Sequence, residues 1–309
     1  MTQDTHIPVL YHEVLEHLQP RPGGRYLDGT VGAGGHTIGL LQASAPDGTV
    51  LALDRDPEAI LFAQRRLGEY GERVILVQAS YVDMAAVAEA QGLTDFDGVL
   101  LDLGLSSRQL ADGQRGFSFL QEGPLDMRFD PTQGETAADL INNLSETELA
   151  DMFWRYGEER RSRQWAKVIV AERPITTTTQ LADLIAGQRP RRGKIHPATQ
   201  IFQALRIAVN GELEAVEKGL LAAIELLRIN GRLAVISFHS LEDRLVKQTF
   251  RQLSRLCICP PEQPVCTCGR QPTLRLVTRK AVQAGAEEVG ANPRSRSARL
   301  RVAEKIGNR

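Results

Sequence analysis

The chain lacks an apolar run long enough to span a bilayer. Its start, Met1 to Asp4, is polar and carries no signal-peptide core. It also has almost no net charge, with 37 Lys and Arg against 38 Asp and Glu in 309 residues. The first two absences point to a cytoplasmic protein that meets no membrane and keeps its thiols reduced. The third removes any overall field that would draw the molecule to nucleic acid, so such contact has to come from local patches. Cysteine is scarce, with four residues, all between Cys257 and Cys268. What is left is an ordinary globular composition, long enough for one large domain or two smaller ones.

The most informative stretch is Tyr26-Leu27-Asp28-Gly29-Thr30-Val31-Gly32-Ala33-Gly34-Gly35-His36. It reads as a short buried strand, a glycine-rich turn, and a helix from Thr37 to about Ala43. Glycines in such a turn let a ligand approach backbone N–H groups at the positive end of the helix. A second strand, Val50 to Asp54, ends in a carboxylate 22 residues after Gly32. That arrangement suits hydrogen bonds from ribose hydroxyls. The compact glycine spacing, with Asp28 ahead of it, favours a cofactor with a cationic amino-acid end, such as S-adenosylmethionine. A nicotinamide dinucleotide would want a later glycine for its pyrophosphate. A glycine turn that binds nothing leaves the aligned Asp54 unexplained.

Strands and helices then alternate. Asp56-Pro57 opens a helix whose Ile60, Ala63 and Leu67 share a face. Val74 to Gln78 and Phe96 to Leu103 read as strands, separated by a helix over about 82–90. Continuous apolar strands in this rhythm predict a mostly parallel, doubly wound sheet with helices on both faces. Gly34, Asp54, Tyr81 and Asp102 all fall at strand carboxyl ends, where ligands of such sheets bind. From Gly104 to Pro131 the rhythm breaks into a loop rich in Gly, Ser, Asp and Arg, read as part of an active site. Residues 136–209 read as helices only: one after the capping box Ser145-x-x-Glu148, one over Glu158 to Glu172, one capped by Thr179, and one opened by Pro197. The predicted division is therefore residues 1–135 with 210–309 as one domain, and 136–209 as an inserted helical subdomain for the substrate. The alternation resumes with a helix over Glu212 to Leu227, a strand over Gly231 to Phe238, a helix over Arg244 to Leu253, and final strands at Leu274 to Thr278 and Arg299 to Ala303.

Three basic clusters stand out: Arg160, Arg161 and Arg163 on one predicted insert helix; Arg189, Arg191, Arg192 and Lys194 in a loop; and Arg294, Arg296, Arg299 and Arg301 near the end. Any one of them reads as a solvated face, but together they favour contact with a phosphate backbone. Trp154, Tyr156 and Trp165 read as insert core. Cys257-x-Cys259 and Cys266-x-Cys268 flank a proline-rich loop. Four thiolates at this spacing suit a structural Zn²⁺, and reduced thiols in a loop are the alternative. Four ligands would close the site, so such a metal would not be catalytic.

A resemblance now enters on specific residues: His6-Ile-Pro-Val-Leu10, Asp28-Gly-Thr-x-Gly-x-Gly-Gly-His36, Asp102-Leu-Gly-x-Ser-Ser-x-Gln-Leu110, Arg115-Gly-Phe-Ser-Phe119, Gly123-Pro-Leu-Asp-Met-Arg128, Arg155-Tyr-Gly-Glu-Glu159, His196-Pro-Ala-Thr199, Ser237-Phe-His-Ser-Leu-Glu-Asp-Arg244 and Asn292-Pro-Arg-Ser-Arg-Ser297. Nearly end to end, the chain resembles the bacterial RsmH (MraW) family. That resemblance implies a Rossmann-like, class I S-adenosylmethionine-dependent methyltransferase with a helical insert. Its expected reaction is methylation of the exocyclic N4 of a cytosine in 16S rRNA, in the decoding region of the small ribosomal subunit. It implies cofactor contacts from Gly34, Gly35, His36, Asp54, Tyr81, Asp102 and Gln109. For the chemistry, Asp102 is the candidate to orient N4, with Ser106 assisting and His239 and Glu242 as further candidates. A capped strand-to-helix turn is the alternative reading of Ser237 to Arg244. A binding factor that keeps the fold without turnover is the alternative for the whole chain, and the intact glycine turn, Asp54 and Asp102 argue against it.

Overall fold

The computed structural model describes residues 8–188, 196–260, 263, 265 and 267–307. His6, the Arg189–Lys194 cluster and Cys266 lie outside them. The chain divides into two compact units, Met1–Gly104 with Glu214–Arg309, and Leu105–Leu213.

The first part of the chain runs α1 (Tyr11–Leu18), β1 (Arg25–Asp28), α2 (Gly35–Ala43), β2 (Thr49–Asp54), α3 (Pro57–Leu67), β3 (Val74–Gln78), α4 (Met84–Ala90) and β4 (Phe96–Asp102). The second unit holds α5 (Ser107–Ala111), α6 (Ala137–Asn143), α7 (Glu146–Gly157), α8 (Ser162–Ala171), α9 (Thr178–Gln188) and α10 (Thr199–Asn210). The chain then continues through α11 (Glu212–Leu226), β5 (Leu227–Ser237), α12 (Ser240–Leu253), β6 (Leu274–Leu276), α13 (Ala286–Ala291) and β7 (Arg299–Lys305).

The seven strands form one sheet in the order β3-β2-β1-β4-β5-β7-β6. β1 to β5 are parallel, whereas β7 runs antiparallel to both β5 and β6. This is the mostly parallel class I methyltransferase architecture expected from the sequence. Two apolar layers sandwich the sheet. One joins Leu27, Leu53, Leu101 and Val235 to Val216 and Leu220 of α11. The other joins Tyr26, Ala52 and Leu100 to Leu10 just before α1, Val14 of α1 and Leu40 of α2. Strands buried on both faces need apolar side chains at every position, which is why they read as continuous runs. The second unit has its own core, in which Trp165, Phe153, Ile141, Leu181 and Leu205 pack with Phe117 and Leu125.

Several local expectations change. The Gly104–Pro131 stretch is built into the core of the second unit through Phe117, Leu125 and Met127, and it contains α5 and a 3₁₀ turn over Gly113–Arg115. α8 starts at Ser162 rather than Glu158, because Glu158 caps α7 in the left-handed region. Arg160 and Arg161 therefore precede the helix. Trp154 is 58% exposed and is not core, whereas Trp165 is fully buried. The carboxyl-terminal basic cluster is partly neutralised, since Arg299 and Arg301 both pair with Asp243. β5 starts at Leu227, before a residue at positive φ, Asn230. α12 starts at Ser240, four residues earlier than its apolar pattern. No helix among the described residues is long and apolar enough to cross a membrane.

Candidate active site

The site is assembled at the carboxyl ends of β1, β2 and β4. Asp28 ends β1 and is only 1% exposed. Its carboxylate accepts hydrogen bonds from the Thr30 N–H (3.1 Å) and the Thr37 hydroxyl (2.7 Å), so it fixes the turn to the start of α2. This departs from the sequence expectation of an acid presented to the ligand: Asp28 is consumed by the turn itself. Thr30 also links the strands, because its Oγ1 accepts the Asp102 N–H at 2.7 Å. Gly34 caps α2 at φ 78°, a conformation that favours glycine. α2 therefore begins at Gly35, two residues before the expected start.

Asp54 ends β2. Its Oδ2 accepts the Gly32 N–H at 2.8 Å, and its Oδ1 accepts the Asp56 N–H at 2.9 Å. One carboxylate thus holds the glycine turn and keeps further lone pairs for a ligand. Tyr81 follows β3. A Cβ on Gly219 of α11 would lie 2.4 Å from Tyr81 Cδ2, so the ring lies directly on the helix backbone at that point. His36 is buried at the start of α2, stacked on Tyr11 with centroids 6.2 Å apart. Its Nε2 lies 3.8 Å from Asp102 Oδ2.

The electrostatics of these groups is unusual. Burial pushes Asp54 up to about 6, against the lowering effect of its hydrogen bonds from Asp56 and Gly32. Burial also pushes Asp102 up to about 7; the Gly104 N–H opposes this, and the charges of Asp28 and Glu242 add to it. Asp28 is raised by burial as well. Burial holds His36 down to about 4, so it is neutral at pH 7 and offers no countercharge. Among the described residues no Lys or Arg pairs with Asp28, Asp54 or Asp102. A ligand that brings positive charge fits this place, because it relieves the cost of ionising the three carboxyls together.

The remaining candidates sit differently. Gln109 and Ser106 belong to the second unit and form a reciprocal capping box on α5. Ser106 Oγ accepts the Gln109 N–H at 3.1 Å, and Gln109 Oε1 accepts the Ser106 N–H at 3.0 Å. His239 is the N-cap of α12. Its Nδ1 accepts the Glu242 N–H at 3.4 Å, and its Nε2 lies 3.0 Å from Glu242 Oε1. Glu242 Oε2 in turn accepts the Phe238 N–H at 2.8 Å. The capped strand-to-helix turn is thus the geometry present at Ser237 to Arg244. Sequence reading missed Thr30 and Thr37 as organisers of the turn and Gly219 as the seat of Tyr81. The threonines had a signal, two hydroxyl residues following an acid near a glycine turn. Gly219 had none beyond being a glycine inside a helical pattern.

The Cys257, Cys259 and Cys268 sulfurs all lie within 4.8 Å of one another.

Comparison with known proteins gives this geometry its context. A model of the MraW methylase family matches residues 3–306. A protein of Thermomicrobium roseum named ribosomal RNA small subunit methyltransferase H is 57% identical over 98% of this chain and 94% of its own length. A protein of the same name from Trichlorobacter lovleyi is 52% identical over 99% of this chain and 100% of its own. Among solved structures, a SAM-dependent O-methyltransferase of Thermotoga maritima aligns with a TM-score of 0.43 and 13% identity, over 100% of this chain and 70% of that one. With a family model spanning almost every residue and full-length relatives above half identity, the chain belongs to the MraW methylase family.

Proposed function

We propose that this protein transfers a methyl group from S-adenosylmethionine to the exocyclic N4 of one cytosine in 16S rRNA, in the decoding region of the small ribosomal subunit. The observation that carries the reading is the cluster of carboxyls around the glycine turn, Asp28 buried and Asp54 and Asp102 half-buried, without a cationic partner among the described residues, in a chain of a methylase family. The names of the curated relatives support small-subunit rRNA as the substrate. The resemblance carried by the linked motifs taken together supports the N4 assignment.

S-adenosylmethionine supplies a methyl group made electrophilic by its sulfonium. Gly34, Gly35 and His36 hold it at the turn, Asp54 accepts from its ribose, and Tyr81 packs on its adenine. Asp102 and Gln109 take the methionine end. The lone pair of cytosine N4 is delocalised into the ring, so the amine has to be held in line and its N–H groups accepted as positive charge develops. The base leaves its stack to reach such a site. A carboxyl near pH 7, as Asp102 is, is matched to accept N–H and then the proton. Ser106 assists, and His239 orients the turn that follows β5. The helical unit recognises the rRNA, and a cytoplasmic location is part of the same reading.

The test is methyl transfer from labelled S-adenosylmethionine to purified small subunits and to free 16S rRNA, both from a strain lacking the activity, with the product mapped by mass spectrometry. Label on N4 of a single cytosine is the expected result. Label on another atom overturns the N4 assignment. Cofactor binding without transfer to either substrate overturns the reaction.

A further inference from the structure

We propose that Cys257, Cys259 and Cys268 form a structural metal site in which their thiolates bind one Zn²⁺. Zinc bonded to sulfur at about 2.3 Å in a tetrahedron sets its sulfurs about 3.8 Å apart. Cys257 and Cys268 Sγ lie 3.9 Å apart, and all three described sulfurs lie within 4.8 Å of one another. That spacing is far beyond a disulfide bond of about 2.05 Å and close to the edge of a tetrahedron. The backbone is arranged for thiolates. The Cys259 N–H donates to Cys257 Sγ at 3.3 Å, and the Thr267 and Cys268 N–H groups donate to Cys259. Gly269, at φ 58°, turns the chain immediately after Cys268.

The segment has need of a staple. It leaves the end of α12 and returns to it, where the Thr273 N–H donates to the Leu253 carbonyl at 2.9 Å and Arg270 donates to the Gln252 carbonyl at 2.8 Å. Between these ties Leu256, Ile258 and Val265 are exposed, so among the described residues no apolar core holds the loop. A short segment without a core is the setting in which a bound metal supplies folding free energy.

The experiment is metal analysis of the full-length protein purified without chelator and under reducing conditions, with intact mass measured in parallel. One zinc per chain is expected, falling below a tenth of that in Cys257→Ser and in Cys268→Ser. Exchange of the wild-type protein into Co²⁺ is expected to give a thiolate-to-metal charge-transfer band and the intense visible bands of a tetrahedral site, a readout that stands even if the variants fail to fold. A metal-free wild-type chain with all four thiols open to a thiol reagent overturns the proposal. So does a mass lowered by the loss of two or four hydrogens, which marks disulfides. Methyl transfer is not part of the readout, so the result is independent of the proposed function.

Discussion

Asp102 is placed where two demands on its charge oppose each other. Burial and the neighbouring acids Asp28 and Glu242 favour the neutral acid in the free protein, whereas a sulfonium beside it favours the carboxylate. Affinity for S-adenosylmethionine should therefore rise between pH 5 and pH 7.5 and then level off. S-adenosylhomocysteine, which lacks the sulfonium charge, should show a shallower rise, and calorimetry at several pH values compares the two. Equal slopes would separate the ionisation from the cofactor's charge. The same shifts bear on folding. Asp54 and Asp102 have raised folded pKa values, so the stability they contribute is present below the ordinary carboxyl value and lost as pH rises through about 6 and 7. His36 is depressed, so its contribution is present above its ordinary value of 6.5 and lost as pH falls toward 4. The two effects oppose each other between pH 4 and 6.5. Above that the raised carboxyls, Asp102 foremost, continue to lose stability with no gain from His36 to offset them, so the thermal midpoint of the ligand-free protein should fall from pH 6.5 to 8, and in Asp102→Asn this fall should lessen. Asp102→Asn should also lower kcat by about 10²-fold or more, the usual reach of a positioned acid–base group. Full activity would remove Asp102 from the chemistry.

The helices of the site carry a different kind of constraint, which acts on backbone distance. Gly219 lies within α11, where alanine is favoured over glycine by about 1 kcal/mol. Its Cβ, however, would stand 2.4 Å from the Tyr81 ring, and such overpacking costs about 1–3 kcal/mol. Gly219→Ala should therefore leave the thermal midpoint within a few degrees of the parent while raising KM for S-adenosylmethionine about tenfold, with kcat at saturation kept. An unchanged KM would dissociate Tyr81 from the cofactor. At the carboxyl end of β5, His239→Ala removes the N-cap of α12, a loss of about 1 kcal/mol. If His239 acts only through the cap, His239→Asn should restore both stability and turnover, because asparagine is a strong N-cap. At this scale the sequence was most readable where one physical signal dominates. β2 and β3 are continuous apolar runs, and Asp56-Pro57 caps α3 where it was expected to. The site was readable where acids end such strands, at Asp54 and Asp102. It was hidden where side chains serve the backbone. Asp28 looked like a ligand group until Thr30 and Thr37 closed around it. α5 was masked by the Ser-rich composition that caps it, and the start of β5 by the polar Arg228 and Asn230.

For the whole molecule, a net charge of −1 means that an RNA substrate has to be held by a local surface rather than by the overall field. One such surface is visible in the helical unit. Arg155 at the end of α7, Arg160 and Arg161 in the turn, and Arg163 and Lys167 on α8 are all exposed, and none is paired with a carboxylate among the described residues. Beside them Trp154 is 58% exposed, although a tryptophan of an amphipathic helix normally turns inward, as Trp165 does. Cations released from acid partners can neutralise phosphates, and an uncovered indole offers a stacking face to an unpaired base. The two contributions separate by salt. Each Arg that neutralises a phosphate adds about 0.7–0.9 to the slope of log affinity against log salt, so Arg160→Ala with Arg163→Ala should lower the slope by about 1.5. Trp154→Ala should leave the slope unchanged and weaken binding by about 1–3 kcal/mol at every salt concentration. Filter binding of 16S rRNA or of small subunits across a salt series reads both. If all three substitutions leave affinity and slope at their parent values, the α7–α8 face does not touch the RNA, and the charge that holds the substrate lies elsewhere on the chain.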